Sequence, residues 1–213
     1  MSVDNKTSQE IQEFIIRNVG THPTDIGRLT AEKFGLSRVA IVNRLGALIK
    51  AGLLVTEGKT KARRYTLAVL NSHTTKLQIG LGLTEDQVWL RDVKPHLLGM
   101  PSNVLDICAH GVTEMVNNVI DHSESTTAAI SVLCDAATIT ITIRDYGVGI
   151  FHKIQQALHL SDPQHAILEL AKGKLTTDQA KHTGEGIFFT SRMFDEFSIR
   201  LGDVAVHQAP KNG

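Results

Sequence analysis

Glu114 and Asn118 stand four residues apart, so a helix would carry a carboxylate and a carboxamide on one face, one turn from each other. A carboxylate there can draw a proton from an attacking hydroxyl, and an amide oxygen suits a hard divalent cation. Asp145-Tyr146-Gly147-Val148-Gly149-Ile150 comes next. Its aspartate can accept from the exocyclic amine of a base, while the two glycines let backbone approach a ligand closely. The third piece is His182-Thr183-Gly184-Glu185-Gly186, followed by the apolar run Ile187-Phe188-Phe189. Glycines that open a helix expose N–H groups at the positive end of its dipole, where phosphate binds. In this order the pieces supply a base, a magnesium ligand, an adenine reader and a phosphate loop. Singly they say little. A carboxylate and an amide one turn apart are solvated in most helices, and an aspartate before glycine often caps its own turn.

These residues need elements to position them. Gly99-Met100-Pro101-Ser102 reads as a turn, and a long helix follows to about His122. Val104, Leu105, Cys108, Val112, Met115, Val116 and Val119 form its apolar stripe. Glu114, Asn118 and Asp121 or His122 fall on a different face. His122 is either a neighbour of the magnesium site or a helix-end residue. A strand over 128–134, a turn at Asp135-Ala136 and a second strand over 138–144 come next. In the second strand Ile139, Ile141 and Ile143 alternate with threonines, and Asp145 has the parity of the isoleucines. That points a carboxylate inward, which costs several kcal/mol unless something pairs with it. The connection 151–183 is long enough to be a lid or binding loop, and its Lys174 and Lys181 are candidates for phosphate contact. Upstream, Thr84 with Glu85 and Asp86 starts a helix to about Leu98, which Pro95 must kink or end. Phe197–Leu201 and Val204–His207 close the chain as a hairpin.

The charge is unevenly spread. Residues 1–70 hold 11 Lys and Arg against 6 Asp and Glu, a net +5; residues 71–213 hold 11 against 16, a net −5. Opposite signs suggest two modules with different partners. The basic module has three apolar-periodic segments: Ile11, Phe14, Ile15 and Val19; Ile26, Leu29, Ala31 and Phe34; and Val39, Ile41, Val42, Leu45, Leu48 and Ile49. Asp25 can start the second helix, and Gly35-Leu36-Ser37 reads as a turn with an N-cap serine. A strand, a turn rich in cations and a second strand follow over 51–67. Three helices closed by a basic hairpin resemble a winged helix-turn-helix. Such a module would place Arg38, Asn43 and Arg44 in a major groove of double-stranded DNA, and Lys59, Lys61, Arg63 and Arg64 near phosphates. A small protein-binding helical domain has the same pattern. Residues 71–75 are a polar break, so 71–79 reads as a linker with an edge strand at 76–79, and 80–213 as the second domain.

Composition excludes several classes. With 42% hydrophobic and 21% charged residues, the chain has the make-up of a soluble protein. It has no apolar run of the ~18 residues a membrane span needs, and its first residues lack the apolar core of a signal peptide. A cytoplasmic protein with no membrane partner is expected. Cys108 and Cys134 are too few for a disulfide framework or a zinc site and read as small buried residues.

Taken together, residues 80–207 resemble a Bergerat-type ATP-binding domain of the GHKL superfamily. Glu114–His122 matches the asparagine box, Asp145–Ile150 the first glycine box and His182–Gly186 the second. The implied fold class is α+β: an N-terminal winged helix, then an α/β two-layer sandwich. The implied cofactors are ATP and Mg2+. Asn118 would hold the metal and Asp145 the adenine amine. Gly147, Gly149 and Ile150 would line the adenine pocket, with Asp121 and His122 near the nucleotide. Thr183, Gly184 and Gly186 would meet phosphates through backbone N–H groups. Glu114 matches the residue that polarises the nucleophile in the hydrolytic and serine-kinase branches. The resemblance therefore implies an ATPase coupled to DNA binding, a serine/threonine kinase of anti-sigma type, or a nucleotide sensor without turnover. Partners of STAS-like or sigma/anti-sigma type and a homodimer are further expectations. Histidine kinases place a phosphoacceptor histidine on a helix before this domain; here the three-helix module stands in that place. Glu185 departs from the pattern by bringing negative charge to the phosphate loop, and the chain ends soon after its last strand pair, as in a minimal or truncated version.

Overall fold

A computed structural model gives the structure and describes residues 3–148, 186–201 and 204–208. The chain divides into two compact units, Met1–His73 with Val132–Thr140, and Thr74–Ser131 with Ile141–Gly213.

In the first unit, helices α1 (Val3–Asn18), α2 (Ile26–Phe34) and α3 (Arg38–Lys50) share one core. Ile11, Ile15 and Val19 enter it from α1, Ile26 from α2, and Ile41, Leu45 and Leu48 from α3. Each such side chain contributes about 1.5–3 kcal/mol on burial. Phe14 and Phe34 meet edge to face at 5.5 Å, with the Lys33 ammonium 4.2 Å from the Phe14 ring centre. Gly35 ends α2 in the left-handed conformation, φ 63°, and Ser37 Oγ accepts from Ala40 N at 3.2 Å to cap α3. Asp25 stands before α2, but its side chain makes no cap bond. It pairs instead with His22 at 3.1 Å and Arg28 at 2.8 Å.

The apolar set expected on α3 is corrected. Val39 and Val42 are 70% and 57% exposed, because only Ile41, Leu45 and Leu48 share the inward face. Next comes an antiparallel hairpin of β1 (Leu54–Glu57) and β2 (Arg64–Leu67), with Leu54 opposite Leu67 and Glu57 opposite Arg64. Its tip is a 3-10 turn, Thr60–Ala62. Tyr65 N donates to Pro23 O at 2.8 Å, which ties β2 to the connection between α1 and α2.

Strands β3 (Asn71–Gln78), β4 (Thr127–Cys134) and β5 (Ile139–Asp145) form a sheet with β4 in the middle. The polar break at 71–75 is thus strand rather than open linker. An edge strand keeps one face wet, so its polar residues alternate with half-buried ones and carry no apolar signature. Between β4 and β5, Asp135 Oδ1 accepts from Ala137 N and Thr138 N, both at 2.7 Å. On β5, Ile139, Ile141, Ile143 and Asp145 are half-buried, while Thr140, Thr142 and Arg144 are exposed, as the alternation predicts.

In the second unit Thr84 Oγ1 accepts from Gln87 N at 3.3 Å and caps α4 (Glu85–Val88). The single helix expected to about Leu98 instead changes pitch twice. Trp89–Val93 is a π turn and Lys94–His96 a 3-10 turn around Pro95, whose missing N–H cannot continue the α ladder. Asp92 in the π turn is 5% exposed and held by Arg91, Nη2 to Oδ2 at 2.8 Å. The long helix α5 (Ser102–His122) buries Cys108, Gly111, Val112 and Val116. The last described helix, α6 (Gly186–Met193), packs on α5. A Cβ at Gly111 would stand 2.5 Å from the Phe194 ring, so glycine permits that approach. Strands β6 (Phe197–Leu201) and β7 (Val204–Gln208) pair antiparallel. Both cysteines are buried, and burial, with Asp135 adjacent, pushes the Cys134 thiol above its ordinary value. Among the described residues no helix is long and apolar enough to cross a membrane.

Candidate nucleotide site

The nucleotide candidates lie on α5, on the turn after β5 and at the start of α6, all in the second unit. Glu114 and Asn118 are half-buried on α5. The Glu114 carboxylate lies against Gly186, the first residue of α6: a Cβ there would overlap Glu114 Oε2 and stand 3.1 Å from its Cδ. Two residues 72 positions apart in sequence, 186 − 114, are thereby neighbours.

At the C-terminal end of α5 the turn after β5 is locked in place. Val148 N donates to Ser123 O at 2.9 Å. A Cβ at Gly147 would overlap that same carbonyl oxygen and stand 3.1 Å from Ser125 N. Glycine is therefore required there for packing. Ser123 is 2% exposed, and its Oγ accepts from Ser125 N at 3.2 Å. Glu124 between them is left-handed, φ 57°. Ser125 Oγ donates to Thr127 O at 2.7 Å and leads the chain into β4. Asp145 Oδ1 accepts from Gly147 N at 3.0 Å. The aspartate lies on the isoleucine side of β5, as the alternation predicts, and caps its own turn, the alternative to a base reader. A carboxylate offers a second oxygen beyond that bond.

Asp121 is exposed at the end of α5, and His122 is half-buried. Gly149, Ile150, Lys174, Lys181, Thr183 and Gly184, with the lid at 151–183, lie outside the described residues. Ser123, Ser125 and Gly111 escaped sequence reasoning. Gly111 did carry a signal, since a glycine inside a helix usually has a packing reason. Thr190, 1% exposed on α6, has a hydroxyl without a partner among the described residues.

The half-buried Asn118 amide oxygen is a hard donor of the kind that suits magnesium. Among the described residues no cluster of three or more His, Cys, Asp or Glu could cage a metal alone.

In the first unit Arg38 and Asn43 are exposed on α3, and Lys59, Arg63 and Arg64 are exposed on the hairpin. The Lys61 side chain lies outside the described residues. Arg44 departs from the expected outward set. It is half-buried and donates through Nη1 to Ser8 Oγ of α1, because its position turns toward the neighbouring helix.

Searches of curated proteins and of solved structures return no match. The family model of the histidine kinase-like ATPase domain matches residues 82–206, more than half of the 213-residue chain, and that stretch holds the asparagine helix, both glycine segments and the final hairpin. The chain belongs to the histidine kinase-like ATPase domain family.

Proposed function

We propose that the protein is a cytoplasmic regulator in which Mg-ATP binding, followed by slow hydrolysis, controls a DNA-binding winged helix. The observation that carries the ATP site is the placement of Glu114 against the first turn of α6, with Asn118 one turn further along α5. Asp145, held in its turn by Gly147 and facing the isoleucine side of β5, would accept from the adenine amine. Asn118 would hold the magnesium ion, which supplies charge neutralisation for the triphosphate. Glu114 would orient a water molecule and take its proton. In phosphoryl transfer the protein's remaining task is positioning, which the turn closed at Gly147 onto Ser123 would serve.

The winged-helix part of the reading is supported by three helices on one core, an antiparallel hairpin with exposed cations, and the net +5 of residues 1–70. Titration calorimetry tests the ATP site. Wild type is expected to bind Mg-ATP, and Asp145→Ala to bind at least about tenfold more weakly, one charge-assisted hydrogen bond being worth roughly 1.5–3 kcal/mol. Equal binding would remove Asp145 from the site. Labelled ATP in lysate then separates the outcomes: release of free phosphate, lost in Glu114→Gln, fits an ATPase, whereas label on a partner protein makes the chain a kinase.

A further inference from the structure

The outward face of α3 has a composition that folding does not explain. Val39 is 70% exposed and Val42 57% exposed, and with Asn43, Gly46 and Ala47 they line the side turned away from Ile41, Leu45 and Leu48. Gly46 is the telling member. A glycine inside a helix weakens it relative to alanine. A Cβ at Gly46 would meet nothing within 4 Å among the described residues, so no packing there requires the glycine. Gly27 on α2 is the contrast, since a Cβ there would press on Ile41 at 3.3 Å. An open, side-chain-free spot flanked by two exposed valines suits something that approaches the helix closely from outside. The charge around it selects the occupant. Helix α3 carries Arg38, Arg44 and Lys50 and no acidic residue, and Lys59, Arg63 and Arg64 are exposed on the hairpin of the same unit. A strongly negative partner fits, and the major groove of duplex DNA admits one α-helix between two rows of phosphates.

We propose that this face reads thymine methyl groups, so that the protein prefers A·T pairs; the inference rests on the DNA-binding reading above. Branched aliphatic side chains at Val39 and Val42 pack against the 5-methyl of thymine, the one apolar group on a base-pair edge in the major groove. Asn43, one turn on from Val39 on the same face, has the amide that pairs with adenine N6 and N7. The side chain that would favour guanine at the centre, Arg44, is turned away to Ser8.

The test uses the full chain and three labelled 24-base-pair duplexes in fluorescence anisotropy: alternating A·T, alternating A·U, which lacks only the methyl, and alternating G·C. The A·T duplex is expected to bind roughly fivefold or more tightly than the A·U duplex. Val42→Ala, an exposed substitution compatible with the helix, is expected to bring that ratio toward one. Equal binding of A·T and A·U, or a ratio untouched by Val42→Ala, overturns the proposal while leaving DNA binding intact. Binding to none of the three duplexes at low salt overturns the DNA reading itself. Self-association abolished by Val39→Asp, with no duplex bound, would assign the face to a second copy of the chain.

Discussion

Gly147 and Gly186 look equivalent in sequence, and the structure gives them different work. At Gly147 an added Cβ meets the Ser123 carbonyl, which is backbone at the end of α5 and cannot yield. Gly147→Ala should therefore cost stability, about 1–3 kcal/mol as for other overpacked sites, read from urea unfolding. At Gly186 the obstacle is the tip of the Glu114 side chain, which can swing aside. Gly186→Ala should leave stability within about 1 kcal/mol, because alanine is the better helix former. Its effect should fall on phosphate release, down by about 100-fold with ATP affinity little changed, because a displaced base no longer meets its proton. Shortening the side chain with Glu114→Asp in the Gly186→Ala background should recover part of the rate. If Gly186→Ala hydrolyses ATP like wild type, the contact has no role in turnover.

At the scale of the element, the cluster before α2 shows how one surface network sets a pH response. Partial burial pushes the Asp25 carboxyl upward, but His22 and Arg28 together outweigh it and hold the group below its ordinary value. The same network holds Arg28 above its ordinary value, Glu32 contributing most. A carboxyl whose folded value is depressed adds stability above its unfolded value, about 3.9, and loses it as pH falls through the folded one. Asp25→Asn should thus be less stable than wild type at pH 7, and the difference should narrow as pH falls below about 3.9. A difference that does not narrow in acid would show that charge is not its source. The helix after Thr84 makes a second point at this scale. Its cap and its break at Pro95 followed from residue type, but the π turn that buries Asp92 did not, because an extra residue in a turn leaves no mark on the apolar period.

For the whole molecule the question is whether the two modules communicate. If nucleotide state controls DNA binding, duplex affinity should differ between ATP and ADP, by the roughly 5- to 150-fold common for coupled sites. Anisotropy at both nucleotides measures it, and identical affinities would leave two modules that share a chain. Affinity in either state should fall steeply between 50 and 200 mM salt, since the +5 charge of residues 1–70 acts through released counterions. A flat salt response would remove phosphate contact from the reading.

The sequence by itself determined what depends on neighbours along the chain. Strand parity put Asp145 with the isoleucines of β5, helical spacing put Glu114 and Asn118 on one side of α5, and Ser37, Thr84 and Gly35 marked helix ends through their own backbone chemistry. Tertiary structure decided whatever depends on contacts between distant segments. It set Glu114 against Gly186, closed Gly147 onto Ser123, made a strand of 71–75, and turned Arg44 inward while leaving Val39 and Val42 outside. The physical reason is one of range. Propensity and periodicity act over a few residues, but a glycine's need for space, a polar strand's partner and the side of a helix that meets its neighbour are set by atoms that chain folding alone brings together.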